Sequence, residues 1–380
     1  MKKLPPLWLF AVKTLRHDRV KSLAAILGVV FACLLTLVQT GMYLGYMQNA
    51  SSVIDHSTAD LWVMRQGTEN FDTAQPMSEK VAYQVASISG VSEVEKVILG
   101  ATYWKTPTGG VEGPQVIGLE PQAHLLRPWN VVEGSAAVLS QDRSILVDRF
   151  DMKKLGVTGV GHRAELWEQR AVVRGLTEGV RSFITAPVVF ASFKDAQRFC
   201  QIPVDQVVYL LIRLIPGASA QEIKKAIAQS VPDVDVHTRK EFSKRTRGYW
   251  SRTTGVGVAL FTSAFLGVLV GLGVISLTLY MSISDHLKEY GTLKAIGVAN
   301  RQVTLLVGVQ SLLLGGVGGV LGWLGAFLMT HWIVSTGVNV VLPLGTSLVI
   351  VGVLLVLCFL SSFLAVQKVF KIEPVLVFEK

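Results

Sequence analysis

Half of the 380 residues are hydrophobic and only 17% are charged, against about 25% charged in a typical soluble globular protein. The formal charge of +9 would suit an acidic partner. The excess sits beside long apolar runs, however, which points to a membrane surface and excludes nucleic acid as the natural partner.

Three stretches lack Asp, Glu, Lys and Arg altogether: between Lys21 and Asp55, between Arg252 and Asp285, and between Arg301 and Lys368. A spanning helix needs about 20 apolar residues. These gaps predict spans at 23–46, 256–283, 303–335 and 347–366. The last two are separated by an outer loop, 336–346, carrying Gly337, Asn339, Pro343 and Gly345. The first apolar run is too long for a signal-peptide core and has no A-x-A site after it, so it reads as retained.

Residues 1–22 hold Lys2, Lys3, Lys13, Arg16, Arg19 and Lys21 against Asp18. Leu7, Trp8, Ala11, Val12 and Leu15 recur at helical spacing. An amphipathic helix in the cytoplasmic interface follows, or an anchoring elbow with no separate role.

Residues 47–237 form a large polar region. Asn49–His237 carries 18 basic and 21 acidic residues, so the positive excess is not there. "ADLWVM" reads as a strand, "MSEKVAYQVASIS" as a helix and "VSEVEKVILGATYW" as a strand. "QVVYLLIRL", "SAQEIKKAIAQSV" and "DVDVHT" repeat that order, with Ser219 and Glu222 at the capping-box spacing. Two β-α-β halves are expected, with a β-rich insertion at about 120–187. Cys200 is the lone cysteine of this region, because Cys33 and Cys358 fall inside spans, so no disulfide forms within it.

Residues 238–255 contain Arg239, Lys240, Lys244, Arg245, Arg247 and Arg252, with Phe242, Tyr249 and Trp250. With the N-terminus inside, these six cations lie on the outer side, against the positive-inside rule. Twelve basic residues at 1–22, Lys288, Lys294, Arg301, Lys368, Lys371 and Lys380 still favour that orientation. The segment is expected to extend the second span as a helical stalk, with Arg239, Lys244, Arg247 and Trp250 its marked residues and its lower end among anionic headgroups. The alternative is a solvated linker, which Gly248 and Gly255 would allow.

The 284–302 segment is the charged break between the second and third spans. Leu287, Tyr290, Leu293 and Ile296 recur every three residues, predicting a short amphipathic helix on the cytoplasmic side. Gly297 is a candidate C-cap. Residues 367–380 form a cytoplasmic tail.

Nucleotide-loop, H-E-x-x-H and G-x-S-x-G patterns do not occur, and the seven histidines lack ligand-like spacing. No catalytic, cofactor or metal residue is therefore assigned. The spans contain no carboxylate, so uphill transport would draw its energy from elsewhere.

"DHLKEYGTLKAIG" resembles the E-x-G-x-L-[RK]-A-[IL]-G stretch of FtsX-like and MacB-like ABC transporter permeases, through Glu289, Gly291, Leu293, Lys294, Ala295, Ile296 and Gly297. With "GYWSRTTGVG" it looks closest to the DevC-like branch. "LRHDRVKSLAAILGVV" and "KIEPVLVF" resemble the family's two ends.

The resemblance implies an α-helical membrane protein of four transmembrane helices, with a large extracytoplasmic α+β domain between helices 1 and 2. It implies a homodimer in the bacterial inner membrane with both termini cytoplasmic, and two copies of a separate ABC ATPase that binds ATP and Mg. A periplasmic adaptor and an outer-membrane channel are further implied partners. Asp285, His286, Glu289, Gly291, Leu293, Lys294 and Gly297 would then couple to the ATPase. The reading is an export permease for amphiphilic or lipid-like cargo. The alternatives are a mechanotransmitter that moves nothing and controls an outer hydrolase, lipoprotein release, or haem export. Gly267, Gly271, Gly315, Gly319 and Gly322 are helix-packing residues, either at a dimer seam or within one subunit.

Overall fold

A computed structural model describes residues 14–184, 186–285, 298–336 and 338–370. It divides into an α+β unit, Tyr46–Gly255, and a helical unit formed by the residues before and after it. The first helix, α1 (Arg19–His56), runs through the division. It continues ten residues past the expected end of the first span, because Gln48, Asn49, Ser51 and Ser52 are polar without breaking a helix.

The α+β unit contains β1 (Leu61–Arg65), β2 (Met77–Ser78), α2 (Lys80–Ala86), β3 (Val91–Ala101), β4 (Trp104–Lys105), β5 (Val111–Glu112), β6 (Gln115–Leu119), β7 (Val131–Glu133) and β8 (Ser144–Asp148). It continues with α3 (Met152–Leu155), β9 (Arg163–Leu166), β10 (Gln169–Thr177), β11 (Val188–Ser192), α4 (Phe193–Phe199), β12 (Gln206–Val207), β13 (Tyr209–Leu214), α5 (Ala220–Ser230), β14 (Val234–Thr238) and α6 (Arg239–Thr253).

One sheet runs β14-β1-β13-β3-β6-β11-β8-β10-β9-β4-β5, with β7 also on β10. The two β-α-β halves are present as β1-α2-β3 and β13-α5-β14, but they interleave. Strand β13 lies between β1 and β3, and β1 lies between β13 and β14, all antiparallel. That is the split β-α-β arrangement, in which neither half closes without the other. The intervening chain does not form a separate layer. It extends the same sheet through β6 on β3, with parallel pairs at β6–β11 and β8–β10. This extension starts before Glu120 and ends after Pro187, since β4, β5, β6 and β11 belong to it.

Alternation along β1 fixes what packs where. Leu61 and Val63 join Val85, Ile223 and Ile227 under α2 and α5. Trp62 and Met64 face the opposite side, with Ile54 of α1 and Phe242 of α6. The sheet is thus covered on both faces here, and β1 is buried from Leu61 to Met64.

The helical unit contains the first part of α1 with α7 (Val256–Asp285), α8 (Asn300–Ser335) and α9 (Leu344–Phe370). Four helices are long and apolar enough to cross a membrane. Their outward side chains include Leu266, Val270, Leu328 and Leu348, all exposed. Lipid rather than water suits such surfaces.

Candidate functional site

The 238–255 segment is not a free stalk. Thr238 caps α6: its hydroxyl accepts from the Glu241 amide at 3.2 Å, and the Glu241 carboxylate accepts from the Thr238 amide at 3.0 Å. Burial pushes the Glu241 carboxyl up, but the hydrogen bonds from Lys224 and Thr238 outweigh it and hold its pKa at about 2. Phe242, Ser243 and Thr246 are buried at the i, i+1, i+4 spacing that turns one helix face onto the sheet. The helix ends at Thr253, and Gly255 adopts the left-handed region at φ +67° before α7 begins. The expected continuous helix into the second span is therefore interrupted at Thr254–Gly255.

Along the flank of α6, the Arg247 guanidinium donates to Ser51 Oγ at 2.7 Å and to Asp55 Oδ2 at 2.5 Å. Ser51 itself donates to Asp55 at 2.7 Å. Arg239 donates to the Ser57 carbonyl at 2.7 Å. These bonds fasten α6 to the last turns of α1. Near its end, Trp250 Nε1 donates to Asp72 Oδ2 at 2.9 Å, and Gln115 Nε2 donates to Asp72 Oδ1 at 3.0 Å. Burial raises the Asp72 pKa, and hydrogen bonds from Gln115, Trp250 and Ser182 lower it only in part. The Phe183 ring stacks on Trp250 at 4.3 Å and meets Tyr46 edge-on at 5.9 Å. Both chain entries into the α+β unit are thereby fixed to its body.

Of the predicted coupling residues, Asp285 ends α7 and forms an ion pair with Lys21 of α1. His286, Glu289, Gly291, Leu293, Lys294 and Gly297 lie outside the described residues, as do Leu7, Trp8, Ala11 and Val12. The predicted packing glycines meet neighbours within the chain. A Cβ on Gly271 would lie 2.5 Å from that of Ala32, and one on Gly322 would lie 2.6 Å from that of Cys33. Gly267 faces Leu35, while Gly315 and Gly319 face Leu355 and Val351 of α9. These contacts match the within-subunit alternative.

Elsewhere in the α+β unit, a cavity of about 1000 Å³ lies beside α4. Lys96 on its wall bonds Glu79 at 2.9 Å and Glu120 at 3.2 Å, and sits 5.2 Å from the Phe193 ring centre. Gln197 holds the far wall by donating to the Pro203, Val204 and Gln206 carbonyls. Burial pushes the nearby Cys200 thiol up to about 12. Among the described residues no group of three or more His, Cys, Asp or Glu is placed to hold a metal ion.

Asp55, Ser51 and Asp72 were missed from the sequence. Arg247 and Asp55 are 192 positions apart, and nothing local links them. The α6 cap was legible, since Thr238 precedes Glu241 at the same spacing as Ser219 and Glu222.

Residues 22–230 match the MacB-like periplasmic core domain, and residues 261–374 match the FtsX-like permease C-terminal domain. The chain belongs to the FtsX-like, MacB-like family of ABC transporter permeases. It is 34% identical over 108 residues to an uncharacterized ABC transporter permease of Methanocaldococcus jannaschii, a match that covers 27% of this chain and 26% of that relative. The periplasmic region of MacB from Actinobacillus actinomycetemcomitans is similar at 8% identity, over 50% of this chain and 92% of that one, with a TM-score of 0.38. The extracellular domain of the noncanonic ABC-type transporter YknZ from Gram-positive bacteria is similar at 12% identity, over 47% and 98%, with a TM-score of 0.35.

Proposed function

We propose that this chain is the membrane subunit of an ATP-driven export complex in a bacterial inner membrane, with both termini cytoplasmic. Two copies would join two copies of a separate ATPase, which binds ATP and Mg. The 284–302 segment would seat on the ATPase, and the α+β unit would move outside the cytoplasm. Amphiphilic or lipid-like cargo would pass to a periplasmic adaptor and an outer-membrane channel.

The observation that carries this reading is the fastening of α6. Ser51, Asp55 and Ser57 on or just after α1 are tied to Arg247 and Arg239 of α6, and Asp72 of the sheet body is tied to Trp250. A displacement of either helix end would therefore reach the sheet without first straining a loose linker. The same fastening would serve a subunit that transports nothing and drives an outer hydrolase. An adaptor gene beside this one supports export, and a hydrolase gene supports the second reading.

Glu289 lies in the segment whose motif matches the family's coupling element. Glu289→Lys is expected to leave the protein inserted and to lower ATP hydrolysis by the assembled complex in reconstituted membranes. Unchanged cargo-stimulated hydrolysis would remove Glu289 from the coupling role.

A further inference from the structure

The six cations of α6 stand against the positive-inside rule, and only part of their charge is used within the fold. Arg247 is paired with Asp55, and Arg239 is spent on a backbone carbonyl. Lys240, Lys244 and Arg252 are exposed, with no carboxylate within ion-pair distance among the described residues.

Two clefts flank the helix. The first, about 440 Å³, is lined by Arg239, Lys240, Lys244 and Arg247, with Ser243 and the single carboxylate of Asp55. Four cations thus face one anion. The second, about 590 Å³, shares Lys244 and adds Arg245 and Arg252 opposite Glu69 and Glu241. His237 lines it too. Burial first, then the charges of Arg245 and Lys224, hold its imidazole below the usual value, as an electropositive pocket would.

The clefts sit close along the chain to apolar helix. Arg252 is four residues before Val256, a length that spans at most about 14 Å even when extended. Asp55 is ten residues beyond Gly45 in the same helix, a rise of about 15 Å. A headgroup layer adds roughly 5–7 Å on each side of the hydrocarbon core, and the long lysine stems reach further toward it. The first cleft has the size of a small-ligand site, roughly 300–1,000 Å³. Its guanidinium forks and ammonium point charges are the donors that phosphate oxygens take.

We propose that the cleft formed by Arg239, Lys240, Lys244 and Arg247 binds the phosphate of an anionic phospholipid headgroup and holds the α+β unit to the bilayer surface. The surplus cations of α6 then have their counter-charge in the lipid. The proposal needs only that the apolar helices cross a bilayer. It is independent of what, if anything, is exported.

The test uses the full chain in a neutral detergent, titrated with phosphatidylglycerol or phosphatidylcholine, with bound lipid counted by native mass spectrometry. Lys240→Gln with Lys244→Gln removes two exposed cations that fasten nothing, and Lys240→Arg with Lys244→Arg keeps the charge. The native chain should prefer phosphatidylglycerol. The Gln pair should weaken that binding roughly 30-fold, with an unchanged circular-dichroism spectrum, while the Arg pair retains it. Equal retention of phosphatidylglycerol by the Gln pair would overturn the proposal. Glycerol phosphate binding as tightly as the lipid would assign the cleft to a soluble phosphate ester and overturn the membrane source.

Discussion

Trp250→Phe keeps a ring against Phe183 but removes the hydrogen bond to Asp72. Asp72 is an enclosed carboxylate served by neutral donors, Gln115, Trp250 and Ser182. Losing one donor to a buried charged acceptor costs about 2 kcal/mol. Local opening of α6 should then be roughly 30-fold more frequent, at 1.4 kcal/mol per factor of ten. Hydrogen exchange of the full chain in detergent reads this as lost protection in Arg239–Thr253.

The pH dependence has a definite sign. The Asp72 pKa is raised in the folded state, so folded protein keeps a proton that the unfolded chain has released. Stability from this group therefore falls as pH rises between the two pKa values, and stays lower above them. Removing the Trp250 donor raises the folded pKa further, so the loss of protection should be greater at pH 8 than at pH 5. In an Asp72→Asn background the Trp250→Phe effect should shrink, as a double-mutant cycle requires of a direct bond. Unchanged protection of α6, or an equal loss at both pH values, would refute the reasoning.

A cysteine placed at Ser140 should react with an impermeant maleimide in spheroplasts, and one at Thr292 should not; the reverse pattern would overturn the orientation. Native Cys200 should add little background, because burial pushes its thiol up to about 12 and leaves almost no thiolate at neutral pH. Gly271→Leu drives a side chain into Ala32, whose methyl carbon lies 2.5 Å from where the new Cβ would stand; it should lower the yield of folded protein in gel filtration, whereas Gly273→Leu, which meets nothing within 4 Å, should be tolerated.

The four apolar helices were legible because hydrocarbon admits no charged residue cheaply, and the charge gaps mark that constraint directly. Their ends were less so. Helix α1 runs on to His56 because polarity stops a span and does not stop a helix. The two β-α-β halves were visible in their matching helix-to-strand turns. Their interleaving was not, because β1 pairs with β13 and β14 from the far end of the unit, and no local pattern encodes a partner that distant. For α6 the abundance of cations masked the buried stripe of Phe242, Ser243 and Thr246. The coupling segment was found by its likeness to a family motif, since spacing alone suits an ordinary amphipathic connector.

The central claim is that motion reaches the α+β unit through the chain joining α6 to α7. Inserting Gly-Gly-Ser-Gly between Thr254 and Gly255 lengthens that join at a natural helix break and leaves the buried face of α6 intact. The decisive measurement is export by the complex carrying this insertion, alongside ATP hydrolysis and recovery of the assembled subunits. The account predicts normal assembly, continued ATP hydrolysis and lost export. Export at the native rate would contradict it.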